Sequence, residues 1–178
     1  MIDGLTVRPV AADDLAFVVD SWVESYRHAH AAGLIPMPHY QRVYREAVTW
    51  MLERPGVAVH VAVGPEDVLC GFAAVETGAP VLVSRRARVA GQLQWVEQPE
   101  PSPHPFVLYL YVKASFRGRG IACELLDAAG VDRQGRYLYA SKTPEGSAWV
   151  EKHAPLGKWS PLVARFPKMQ PLTTETAK

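Results

Sequence analysis

The sequence predicts an α/β domain with a mixed, mostly antiparallel central sheet flanked by helices. Three observations carry that reading. Residues 57–63 and 68–75 are two apolar, β-rich runs separated by Gly64-Pro65-Glu66-Asp67, the composition of a hairpin. From residue 106 onward strand patterns alternate with helical ones, the mark of a βαβ unit and of parallel pairing. Phe106-Val107-Leu108-Tyr109-Leu110-Tyr111-Val112 is apolar at nearly every position, which suits a strand covered on both faces and therefore central.

Along the chain, Leu5-Thr6-Val7-Arg8-Pro9 reads as a first strand, and Ala11-Ala12-Asp13-Asp14 starts a helix with its acids at the positive end of the dipole. Leu15, Val18, Val19, Trp22 and Tyr26 then recur at helical spacing, predicting a helix from Leu15 to about His28. Gly33, Pro36 and Pro38 interrupt the chain before Tyr40, Val43, Tyr44, Ala47, Val48, Met51 and Leu52 trace a second amphipathic helix, which Pro55-Gly56 ends. After the hairpin, residues 77–106 are the least regular part and read as a long loop, holding Ser84-Arg85-Arg86-Ala87-Arg88, an exposed Trp95 and a proline-rich run over 98–105. Beyond the central strand, Lys113 to Gly120 turn the chain and a helix runs from Ile121 to about Ala129. A strand over 136–140, a helix over 145–153 and a last strand over 162–166 complete the order, giving one domain over 1–170 and a polar tail over 171–178.

Composition limits the function. With 178 residues, 48% of them hydrophobic and 21% charged, the chain can bury a single core and is neither a disordered segment nor a disulfide-stapled module. Nineteen basic against 18 acidic side chains leave a charge of +1, so no global field attracts nucleic acid or anionic lipid, and any basic surface is local. Cys70 and Cys123 are far apart among apolar neighbours and read as reduced, buried thiols of a cytoplasmic protein. No stretch approaches the roughly 18 apolar residues of a membrane span, and no basic and apolar leader opens the chain, so no membrane partner is expected. His28, His30 and His39 lack the spacing of a metal site, and no metal is expected.

The chemistry concentrates where the central strand runs through Arg117-Gly118-Arg119-Gly120-Ile121-Ala122 into a helix. Glycines there permit positive φ and let several N–H groups face one point, while the helix start adds unpaired donors and the positive end of its dipole. Arg117 and Arg119 add side-chain charge, so the assembly suits a diphosphate. With the hydrophobic strand ahead of it, Phe116-Arg117 at the turn and Leu125-Leu126 on the helix, the stretch resembles the acyl-CoA-binding motif of the GNAT superfamily of N-acetyltransferases. In that motif a hydrophobic strand leads through Arg/Gln-x-x-Gly-x-Gly/Ala to a helix with paired leucines. Arg117, Gly120 and Ala122 match its three signature positions and Gly118 its usual extra glycine, and the order of elements resembles the family from Leu5 to Phe166.

The resemblance implies an acyltransferase that moves an acetyl or other acyl group from acetyl-CoA to an amine by direct attack. It places the backbone of Leu110, Tyr111 and Val112 against the pantetheine arm and the amides of Gly118, Arg119, Gly120, Ile121 and Ala122 against the pyrophosphate. An N–H of Leu110 or Val112 would polarise the thioester carbonyl. The chain departs from the family at the acid and base: the central strand holds no glutamate, and Val150 stands where a tyrosine is common. Glu76 at the hairpin end, His104 before the central strand and Ser141 after the next strand are the candidate catalytic residues. Trp22, Tyr26, Tyr40 and Tyr44 on the first helices are candidates to line the acceptor pocket, with Trp22 better suited to the core. The acceptor would be a small-molecule or macromolecular amine. Arg85, Arg86 and Arg88 with Trp95 make a modified nucleic acid base an alternative acceptor, and a catalytically weak binding module is the other alternative. Ser21-Trp22-Val23-Glu24-Ser25-Tyr26-Arg27 and Tyr111-Val112-Lys113 resemble phage-encoded members. Sheet edges allow a monomer or a homodimer.

Overall fold

The computed structural model describes residues 4–29, 36–89, 92–140 and 144–160. The front half contributes β1 (Thr6–Pro9), α1 (Leu15–Ala29), α2 (Met37–Leu52), β2 (Val57–Val63), β3 (Leu69–Glu76), β4 (Pro80–Val89) and β5 (Gln92–Pro101). The back half contributes β6 (Phe106–Val112), α3 (Ile121–Ala128), β7 (Tyr137–Tyr139), α4 (Pro144–His153) and β8 (Gly157–Trp159). Six strands form one sheet in the order β1-β2-β3-β6-β7-β8, antiparallel as far as β6 and parallel from β6 to β8. This is the mixed, mostly antiparallel sheet that the alternation of patterns predicts, with β6 inside it.

Alternation along each strand sends side chains to two faces, and each face has its own helices. On one, Val18, Trp22 and Val23 of α1 and Tyr40, Val48 and Met51 of α2 pack on Val59, Val61, Phe72, Ala74, Phe106, Leu108 and Tyr109. On the other, Ile121, Leu125 and Leu126 of α3 cover Ala62, Cys70, Ala73, Val75 and Val107. The paired leucines are thus the buried stripe of a short amphipathic helix, each contributing about 1.5–3 kcal/mol by leaving water. At the start of the chain Asp14 accepts from the N–H of Ala11 at 2.7 Å and from the Arg8 guanidinium, which fixes the entry into α1.

Two expectations change, and a third lies outside the described residues. The segment over 77–106 is a separate two-stranded sheet, β4 with β5, in register from Pro80 opposite Pro101 to Val89 opposite Gln92. Pro80, Pro99 and Pro101 read as loop residues, but in a two-stranded ribbon every strand has an outer edge where a missing N–H is tolerated. The last described strand is Gly157–Trp159, too short to show a pattern in sequence; the expected strand over 162–166 and the tail over 171–178 lie outside the described residues. Cys70 is buried as expected, whereas Cys123 is half-buried; both are free thiols. Among the described residues no helix is long and apolar enough to cross a membrane.

Candidate active site

The site begins with an irregularity in β6. Ala74 stands opposite Tyr109 and Val75 opposite Val107, so Leu108 is an extra residue with no partner on β3, a β-bulge. Leu108 and its neighbour Tyr109 therefore both face α1 and α2. The bulge also changes which residues turn their backbone toward β7. Before it, the carbonyls of Pro105 and Val107 accept from the N–H groups of Leu138 and Ala140 at 2.9 and 3.0 Å. Beyond it, Lys113 donates to the Cys70 carbonyl at 2.8 Å, so by alternation the odd residues face β3 and Leu110 and Val112 face the β7 side. There β7 has gone: its register with β6 covers only Phe106 and Val107.

A cleft of about 780 Å³ occupies the gap. Its walls come from both faces of the sheet: Ser21, Glu24, Ser25, Tyr109 and Tyr111 on the α1 side, α3 with Trp149, Val150 and His153 of α4 on the other. One end is closed by the turn into α3. Gly118 and Gly120 sit at φ +75° and +86°, left-handed conformations that favour glycine, and a Cβ at either would meet nothing within 4 Å. Gly120 caps α3 without any side-chain acceptor, and its carbonyl takes the N–H groups of Cys123 and Glu124, leaving those of Ile121 and Ala122 as the helix's orphan donors. The Arg117 guanidinium donates from Nε to the Val112 carbonyl at 3.1 Å, which holds its charge against the open strand edge. A row of amides beside a helix N-terminus and an arginine can hold a diphosphate.

The chain matches the acetyltransferase (GNAT) family over residues 20–130, from α1 through α3. It belongs to that family. Among solved structures it is similar to a candidate acetyl transferase from Pyrococcus furiosus, with a TM-score of 0.55 and 14% identity over 83% of this chain and 91% of that one. It is also similar to a Corynebacterium glutamicum protein named as histone acetyltransferase HPA2 and related acetyltransferase, with a TM-score of 0.52 and 20% identity over 84% of this chain and 83% of the other. At these identities the likeness is one of fold. No curated protein matches the sequence.

In this GNAT acetyltransferase, Leu110, Tyr111, Val112, Arg117, Gly118, Gly120, Ile121 and Ala122 all line the cleft. Arg119 does not; its guanidinium lies 5.9 Å from the centre of the Phe116 ring. Tyr111 contributes its ring, since its backbone faces β3. Two of the three candidate catalytic residues, Glu76 and His104, stand apart from this group. Glu76 is 3% exposed at the opposite end of β6, across from Phe106, and its Oε1 accepts from Arg54 Nη2 at 2.7 Å. Its other oxygen is buried with no hydrogen-bond partner among the described residues. His104 is half-buried outside the cleft, its N–H donated to Ser102 Oγ at 3.1 Å. Ser141 lies outside the described residues, one position past Ala140 at the point where β6 and β7 part.

Other residues occupy the walls instead. The Tyr109 hydroxyl meets Ser25 Oγ at 2.9 Å, and Ser25 donates to the Ser21 carbonyl, so α1 is tied to the central strand at the cleft. Trp22 stacks on Tyr109 with ring centres 4.7 Å apart and belongs to the core. Tyr26, Tyr40 and Tyr44 form an aromatic cluster between α1 and α2 rather than a cleft wall. Burial pushes the Tyr26 hydroxyl up to about 12 and raises those of Tyr40 and Tyr44, so all three stay neutral phenols. Val150 lines the cleft, as does His153 one turn later, stacked on Trp149 at 5.3 Å. Spacing of three and four residues puts Ser21, Glu24 and Ser25 on one side of α1, a signal present in the sequence but not singled out there as a site. The side chains of Arg85, Arg86, Arg88 and Trp95 lie outside the described residues, as do His28 and His30, and no group of described residues could hold a metal.

Proposed function

We propose that this GNAT enzyme transfers an acetyl group from acetyl-CoA straight to an amine that enters from the α1 side of the sheet. The observation that carries the reading is the open edge of β6 between Leu110 and Val112, continuous with the donor-rich turn at Gly118–Ala122. Pantetheine amides complete that edge as an added strand would, and the pyrophosphate takes the orphan donors of α3 and the Arg117 charge. The Leu110 N–H polarises the thioester carbonyl and stabilises the negative charge that builds on its oxygen. The amine nitrogen attacks the carbonyl carbon, the C–S bond breaks on collapse, the thiolate takes up a proton, and the new amide loses one.

Holding the two substrates in line supplies most of what the reaction needs. Glu76 and His104 lie outside the cleft, so in this reading neither takes the amine's proton, and water in the open cleft does. Ser141 is the polar contact to the thiol. His153, one turn past Val150 on the same cleft-facing side, replaces the missing tyrosine as proton donor to the leaving thiolate. Calorimetric titration of acetyl-CoA into the protein and into Gly120→Glu, followed by thiol release with a panel of amines, tests this. Binding lost in the variant together with amine-dependent thiol release supports the reading; a folded wild type that does not bind acetyl-CoA overturns it.

A further inference from the structure

The cleft is electrically lopsided. Among the described residues its charged wall side chains are Arg117 beside the phosphate-type turn and Glu24 on the α1 side, and His153 of α4 also lines it. Glu24 is exposed and has no ion-pair partner among the described residues. Two cations on the same helix pair are engaged elsewhere: the Arg27 guanidinium lies 4.9 Å from the centre of the Tyr40 ring, and Arg45 pairs with Asp20. Beside Glu24 the wall presents the hydroxyls of Ser21, Ser25 and Tyr109. An ammonium group has three donors and no acceptor, and this end of the cleft offers the oxygen acceptors to match.

We infer that the acceptor is an aliphatic diamine or polyamine, whose spectator ammonium group is held by Glu24 while a second nitrogen attacks the thioester. The inference rests on the acetyl-transfer reading and narrows its substrate class. Glu24 suits the spectator nitrogen rather than the reacting one for a chemical reason. A carboxylate in contact stabilises the protonated amine, and the attacking nitrogen must be unprotonated with its lone pair free. Glu24 lines the cleft from α1 beside Ser25, whose Oγ meets the Tyr109 hydroxyl of the central strand, so it shares the cleft with the open strand edge where the thioester is polarised. The same carboxylate repels an acceptor that carries its own carboxylate, so amino acids are disfavoured.

The test compares 1,4-diaminobutane, butylamine and 4-aminobutanoate, which share a reacting end and differ in the charge at the other. Two readouts are taken: kcat/KM from thiol release, and affinity of each amine for the enzyme saturated with CoA. The expected order is diamine, monoamine, amino acid, with the diamine about threefold ahead of butylamine in both readouts, as one solvent-exposed charge pair gives. Glu24→Gln removes the preference, and Glu24→Lys reverses it toward 4-aminobutanoate; the acetyl-CoA titration checks that each variant is folded. Equal handling of diamine and monoamine by the wild type, or a preference that survives Glu24→Gln, overturns the inference. If acetyl-CoA binds and no amine is acetylated, the transfer reading falls, and the amine affinities still decide the role of Glu24.

Discussion

Removing Arg54 separates a structural role for Glu76 from a catalytic one. The Glu76 side chain is 3% exposed, and Arg54, 23% exposed, is the cation that meets it at 2.7 Å. Arg54→Met keeps most of the aliphatic stem but removes the guanidinium, which lies 5.2 Å from the centre of the Trp50 ring, and strands the carboxylate in the sheet. Breaking a buried pair on one side costs about 3–5 kcal/mol. At about 2–4 °C per kcal/mol for a chain of this size, the melting temperature falls by roughly 6–20 °C. Glu76→Gln keeps the shape and gives up a charge-assisted bond, for about 1.5–3 kcal/mol. Arg54→Met combined with Glu76→Leu recovers part of the loss, because the stranded charge is gone. The assay is thermal melting of all four proteins, alongside kcat for acetyl transfer measured well below each midpoint. A base at Glu76 would instead cost about 10²–10⁴ in kcat on conversion to glutamine. The structural assignment is refuted if Arg54→Met melts with the wild type, or if Glu76→Gln loses that activity at full stability.

Gly71→Ala tests how closely β3 approaches β6: a Cβ there would stand 2.4 Å from the Tyr111 carbonyl oxygen, so the strands must part, at about 1–3 kcal/mol, read as a lower midpoint in urea. The Arg8 hydrogen bond holds the Asp14 carboxyl below the usual carboxylate range. In the folded protein Asp14 stays ionised where the unfolded chain takes up a proton, so its contribution is whole above about pH 4 and is lost as pH falls through the lower folded value. Urea unfolding from pH 2 to 6 shows a shallower slope in Asp14→Asn. Tyr26 titrates near 12 against about 10 in an unfolded chain, so its contribution is present below pH 10 and disappears as pH rises toward 12. The difference in phenolate absorbance between wild type and Tyr26→Phe gives that titration directly.

The sheet could be read in advance because its strands carry their own patterns: β2 alternates valines, and β6 is apolar throughout. The turn that closes one end of the cleft was legible for a related reason, since a strand, two glycines at φ +75° and +86° and a helix start are contiguous in the chain. What could not be read is whatever depends on partners far away in sequence. Glu76 at a strand end gives no hint that Arg54, 22 residues earlier, neutralises it inside the protein. A run of seven apolar residues has no period, so the bulge at Leu108 leaves no trace in it. Glu24 reads as an ordinary solvated helix residue until the fold makes it part of the cleft wall. The β4–β5 ribbon was hidden by prolines that signal a loop everywhere except on an exposed edge.

The bulge at Leu108 has a cost that falls on the resting enzyme. A bulge increases twist and ends regular pairing, so β6 leaves β7 beyond Val107 and the sheet stays unfinished there by two or three rungs of its ladder. In the proposed reaction acetyl-CoA supplies those rungs, and occupancy and completion of the sheet become the same event. Among the described residues nothing pairs with that edge, which an extended peptide, including a segment of another copy, could also meet. In that reading, donor concentration raises the melting temperature by mass action and competes with foreign strands for a single mooring.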